Sequence, residues 1–192
     1  MEANLINQIT ASFLVENIIT PTDSKFSRPI LVGYLMCGET INKTPVKVIV
    51  SENSEAVRIV KGVSFGDILF IYGILGYTIE DTVVIYASSF LNISKNDKLL
   101  PVNERKIIFT SYTPLPNNIV LQGTIVNIFE DENKLLVNVK RPKLVRGEIK
   151  EDDLFPVIME NFPSGLNNND EVIVVGALKG TEIHGTVKKI LN

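Results

Sequence analysis

Gly66-Asp67-Ile68-Leu69-Phe70-Ile71-Tyr72-Gly73-Ile74-Leu75 and Asn169-Asp170-Glu171-Val172-Ile173-Val174-Val175-Gly176-Ala177-Leu178 align without a gap. A Gly-Asp or Asn-Asp pair makes a turn, branched residues fill the strand behind it, and the inner glycine permits a sharp bend or bulge where a small barrel closes. Either the chain holds one fold twice, or two hairpins share a common grammar.

Working outward, short runs rich in Val and Ile alternate with Gly, Pro, Asn and Asp, and apolar spacing of the helical kind is scarce. In the first half the predicted strands are residues 9–19, 29–37, 45–51, 68–75 and 82–90. Residues 54–60, Ser-Glu-Ala-Val-Arg-Ile-Val, read as a helical turn with Ser54 as N-cap. Five strands with a short helix between the third and fourth is the order of an OB barrel. Residues 119–129, 134–141, 154–159, 172–178 and 184–191 repeat it, with a loop at 160–171 in place of the helix. The expected class is mainly β: two tandem five-stranded OB-fold Greek-key barrels, residues 1–94 and 117–192. Residues 95–116 form the expected linker, where 106–112 has the character of an extra strand that packs the domains together or pairs with a second chain.

The chain's 192 residues suit two such barrels, with 45% apolar and 21% charged residues. No apolar run approaches the ~20 residues of a membrane-spanning helix, and the start lacks a secretory pattern, so a soluble, cytoplasmic protein without membrane contact is expected. The single cysteine, Cys37, has no disulfide partner in the chain and reads as a small apolar strand residue.

Charge is uneven. The formal net charge is −3, so a nucleic-acid contact must come from a local patch. Residues 1–94 carry 6 basic and 9 acidic groups, 95–116 carry 4 and 2, and 117–192 carry 9 and 11.

A family resemblance rests on Pro45-Val-Lys-Val-Ile-Val50, Glu55-Ala56, Val60-Lys61-Gly62, Gly66 to Leu75, and Val83-Val-Ile-Tyr-Ala87. This series resembles bacterial and phage single-stranded-DNA-binding proteins, in which a third strand is followed by a helical turn, a lysine-glycine step and two further strands. The resemblance covers about residues 45–93 and extends weakly back to residue 9. It implies an OB fold, single-stranded DNA as ligand and assembly through strand edges. Compared with that family, residues 76–81 make a shorter loop, tryptophan is absent, and Lys188-Lys-Ile-Leu-Asn192 stands where an acidic tail is usual.

OB barrels bind single strands across the exposed face of their second and third strands, with basic groups tracking the backbone and aromatic rings stacking on bases. In the first barrel this selects Tyr34, Lys43 and Lys47, with Lys25, Phe26 and Arg28 in the preceding loop. Tyr72, Tyr77 and Tyr86 are further aromatic candidates, with Tyr77 the best placed of these; each reads alternatively as a barrel residue with a wet hydroxyl. In the second barrel, alternation puts Leu135, Val137 and Val139 on one face and Lys134, Leu136, Asn138 and Lys140 on the other. Residues 134–150 hold six basic groups (Lys134, Lys140, Arg141, Lys143, Arg146, Lys150) against one acid, Glu148. That segment is either a phosphate-contacting loop or a solvated hairpin balanced by its acidic flanks.

Catalytic signatures are missing from the sequence: no glycine-rich phosphate cradle, no paired Cys or His at metal-ligand spacing, and one histidine, His184. Asp152-Asp153 reads as an exposed acidic turn. The expectation is a non-catalytic binder without metal or cofactor. Its ligand is single-stranded DNA read with little sequence preference, in replication, recombination or transfer of a phage, plasmid or other mobile element. The open alternatives are RNA and a protein-interaction or assembly module, including a homo-oligomer.

Overall fold

The computed structural model describes residues 6–20, 28–37, 40–50, 61–77, 83–96, 117–140 and 152–190. The chain divides into two compact units: Ile9–Asn117, and Met1–Gln8 with Asn118–Asn192. Residues 6–8 belong with the C-terminal unit, where the Gln122 N–H donates to the Ile6 carbonyl at 2.7 Å.

The first unit is built from β1 (Asn7–Ile19), β2 (Ile30–Cys37), β3 (Thr40–Val50), β4 (Ile68–Tyr77) and β5 (Val83–Asn92), followed by a single helical turn, α1 (Ile93–Asn96). β1 pairs antiparallel with β2 and β4, β2 with β3, and β4 with β5; β3 closes the ring on β5 in parallel. This closed order is the OB fold. Alternation decides what fills it. Leu31, Gly33 and Leu35 of β2 and Val46, Val48 and Val50 of β3 point inward, beside Ile9, Phe13 and Val15 of β1. Each fully buried Val, Leu, Ile or Phe contributes on the order of 1.5–3 kcal/mol.

The second unit contains β6 (Asn117–Phe129), β7 (Lys134–Lys140), β8 (Asp152–Met159), β9 (Glu171–Lys179) and β10 (Glu182–Lys189). Its pairings are the same: β6 with β7 and β9, β7 with β8, β9 with β10, all antiparallel, and β8 with β10 in parallel. All ten expected strands are present. The described loop after β8 is a run of turns, as read from Pro163, Gly165 and the asparagines. Residues 54–60 and the strand-like stretch 106–112 lie outside the described residues.

One reading changes. Asp153 lies in β8 opposite Val139 and is 2% exposed, while Asp152 beside it is exposed. The strand begins two residues earlier than the apolar run suggests, so period-two alternation turns Asp153 into the barrel and makes the pair a strand end rather than a turn.

The repeat reaches atomic detail in the turn before the fourth strand. Gly66 has φ +82° and Asn169 φ +71°. In the first unit the Asp67 N–H donates to the Ser64 carbonyl at 3.1 Å, and Asp67 Oδ2 accepts the Ser64 N–H at 2.8 Å. In the second, Asp170 makes the same two bonds with Asn167, at 3.1 and 2.8 Å. Each turn is anchored to the first strand of its barrel, Gly66 N–H to the Val15 carbonyl and Asn169 N–H to the Ile125 carbonyl, both at 2.8 Å. Beyond the anchor both first strands bulge, between Val15 and Asn17 and between Ile125 and Asn127. The inner glycine of the first barrel marks a bulge in the β4–β5 register, where a Cβ on Gly73 would stand 2.3 Å from the Tyr86 carbonyl oxygen. In the second barrel, Gly176 instead sits in register opposite Gly185.

Candidate nucleic-acid interface

In the first barrel the outward residues of β2 are Ile30, Val32 and Tyr34, and those of β3 are Pro45, Lys47 and Ile49. Register pairs Tyr34 with Pro45, Val32 with Lys47 and Ile30 with Ile49, while Leu14 of β1 lies on the other side of Tyr34. The result is an aromatic ring in an apolar row, next to one ammonium group. The Tyr34 hydroxyl is hydrogen-bonded to Glu16; that bond, and then the charge of the carboxylate, hold the phenol pKa above its usual value. Tyr34 is therefore a neutral ring with its polar end tied down.

The remaining first-barrel candidates separate. Arg28 is half-buried just ahead of β2, and Lys47 is half-buried on the outward face. Tyr77 is 9% exposed, which leaves it no open ring face, because β4 runs two residues beyond the expected end and carries Tyr77 into the wall opposite Val83. Tyr72 is 41% exposed on β4, and Tyr86 is half-buried on β5. Lys25, Phe26 and the side chain of Lys43 lie outside the described residues.

On the second barrel, Leu135, Val137 and Val139 are buried and Lys134, Leu136, Asn138 and Lys140 face outward, the alternation read from the sequence. Across the register stand Ile158, Pro156, Leu154 and Asp152 of β8. This face is aliphatic at its centre and polar at its ends. Lys134 Nζ is paired with Glu182 Oε1 at 3.2 Å, and Asn138 Nδ2 donates to Asp152 Oδ2 at 3.1 Å, leaving Asn138 Oδ1 without a hydrogen-bond partner. Lys140 is exposed at the end of β7, opposite Asp152. Arg141, Lys143 and Arg146 lie outside the described residues.

Phe65 was missed by the sequence reading. It is 79% exposed at the tip of the turn before β4. Its signal was the turn itself: an aromatic residue in front of Gly-Asp has no core to enter. Among the described residues, no group of three His, Cys, Asp or Glu side chains is placed to hold a metal ion, and no helix is long and apolar enough to cross a membrane.

The class this architecture defines is the mainly-β, OB-fold class. Among solved structures, a deletion mutant of the single-stranded DNA binding protein from Thermus aquaticus matches with a TM-score of 0.61 at 14% identity, over 99% of this chain and 97% of that one. The wild-type form of that protein matches with a TM-score of 0.59 at 13% identity, over 99% and 95%. At such identity the likeness is one of fold. No protein-family model matches the chain, and no curated protein does.

Proposed function

We propose that this chain binds single-stranded DNA with little sequence preference and without catalysis. The observation that carries the reading is the outward face of β2 and β3: Tyr34 between Leu14 and Pro45, beside Lys47, on a barrel type that binds strands across that face. The shared fold with a protein named for single-stranded DNA binding supports it. Affinity comes from a few stacked bases and from phosphate contacts, for which Lys140, Arg141, Lys143 and Arg146 are the proposed second-barrel donors and Lys25, Arg28, Lys43 and Lys47 the first-barrel ones. The two barrels act as a tandem pair of domains, the first ending near residue 94 and the second beginning near residue 117. The proposed setting is replication, recombination or transfer of a mobile element in the cytoplasm; richness in Asn, Ile and Lys supports an AT-rich host.

Fluorescence polarisation with labelled oligo-dT at two salt concentrations tests this. Binding that weakens steeply with salt is expected. No binding at low salt overturns the reading.

A second reading, a protein-interaction or assembly module, is favoured by the second barrel alone. Its β7–β8 face presents Leu136, Leu154, Pro156 and Ile158, and its Lys134 is already paired. Salt-insensitive self-association without oligonucleotide binding would support it.

A further inference from the structure

Phe65 occupies the second position of a four-residue turn, Ser64 to Asp67, whose hydrogen bond and positive φ at Gly66 are those of a type II turn. The turn is held on three sides. Asp67 Oδ2 accepts from the Ser64 N–H at 2.8 Å and from Asn92 Nδ2 at 2.7 Å, and the Gly66 N–H reaches the Val15 carbonyl at 2.8 Å. A rigid mount therefore carries a ring that is 79% exposed and buries almost nothing.

The fold does not ask for that ring. The second barrel builds the same turn with the same internal bonds and the same anchor to its first strand, Lys189 taking the place of Asn92 on the aspartate, and it places Asn168, exposed, at the matching position. Phe65 is the most exposed large apolar side chain among the described residues, and a ring on such a mount offers a flat apolar face to a ligand.

Position indicates which ligand. Gly66 is bonded to Val15, and Tyr34 stands opposite Leu14 on the other side of β1. The two aromatic residues thus flank one strand, about 10 Å or two strand spacings apart. Between them, Glu16 supplies negative charge at the bulge and is hydrogen-bonded to Tyr34. A carboxylate there repels phosphate but not the face of a base. Lys61, exposed three residues before the turn, adds positive charge on the same connection.

We propose that Phe65 is a second base-stacking residue, taking an unpaired base of the strand that lies across Tyr34. This rests on the single-stranded DNA reading above and extends it to a turn outside the β2–β3 face. Removing one stack weakens binding roughly fivefold or more.

The chain has no tryptophan, so Phe65→Trp installs a single reporter at the site. Titration with oligo-dT is expected to quench its emission with the same midpoint as polarisation of the labelled oligonucleotide. Phe65→Asn, the residue type the second barrel uses, is expected to weaken binding while leaving the melting temperature unchanged. If oligo-dT binds the wild type, binds Phe65→Asn equally and leaves the tryptophan emission unaltered, the proposal is overturned and the ring belongs to a protein contact. Loss of binding in Tyr34→Ala with no effect at Phe65 overturns this inference while sparing the DNA reading. Wild-type protein that binds no oligonucleotide at low salt overturns both.

Discussion

Tyr34 and Glu16 are joined by a hydrogen bond on the outer wall of the first barrel, and the phenol is held in its protonated form above the pH at which it would ordinarily ionise. The bond orients the ring but places a negative charge where a nucleic acid would lie. Glu16→Gln is expected to lower the Tyr34 pKa, read as an earlier onset in an ultraviolet pH titration, and to tighten oligo-dT binding. With a raised folded-state pKa, the stabilising contribution of Tyr34 is complete below the unfolded tyrosine value and fades as pH rises through the folded one.

Lys134 and Lys140 are not equivalent. Lys134 is paired with Glu182 at 3.2 Å, whereas Lys140 is exposed at the end of β7. If the second barrel contacts phosphate, Lys140→Ala reduces the slope of log affinity against log salt by about one, and Lys134→Ala changes it less. Glu182→Gln releases Lys134 and steepens the slope. Replacing Lys140, Arg141, Lys143 and Arg146 together flattens the salt dependence; an unchanged slope would return the contact to the first barrel.

A Cβ on Gly33 would stand 2.0 Å from the Leu14 carbonyl oxygen and 2.9 Å from Phe13 Cζ. Neither the backbone nor a fully buried ring gives way cheaply. Gly33→Ala is expected to cost about 1–3 kcal/mol, measured as a lower urea midpoint.

Gly66 presents the opposite case, with φ +82° and nothing within 4 Å of its absent Cβ. Only backbone strain opposes a side chain there, at roughly 1–2 kcal/mol for an ordinary residue. Gly66→Asn, copying Asn169, is expected to melt close to the wild type, and Gly66→Val several degrees below it.

Asp170 accepts from Lys189 at 2.8 Å and from the Asn167 backbone, which together hold its carboxyl below the usual carboxylate value. With a depressed folded-state pKa, its contribution is present above the unfolded value and is lost as pH falls through the folded one. Asp170→Asn is expected to flatten the fall in melting temperature on the acid side of the ordinary carboxylate range and to matter least there.

The strands were legible because burial is written into alternation: Leu135, Val137 and Val139 could face only one way. The repeat was visible at residues 66–75 and 169–178 because a turn and a closing glycine leave a local signature. It went unread in β1 and β6, where Asn7, Ile9, Asn17 and Ile18 recur as Asn117, Ile119, Asn127 and Ile128. Those bulged strands each pair with two neighbours and obey no single period. Asn17 and Asn127 each fold a side-chain oxygen onto the next N–H, at 2.8 and 2.9 Å, a bond that requires the bulge to exist first.

Sequence alone determined the mainly-β class, the strand order and the sidedness of β7, since these follow from local propensity and period two. Tertiary structure decided which candidates are available. Tyr77 and Tyr34 look alike in sequence, yet barrel closure buries one and leaves the other on the outer wall, tied to Glu16. Lys134 and Lys140 are separated by an ion pair with a residue 48 positions away. Phe65 gains meaning only from the strand on which its turn is mounted. Exposure and charge pairing depend on contacts between distant segments, and in a closed barrel those contacts form when the ring does.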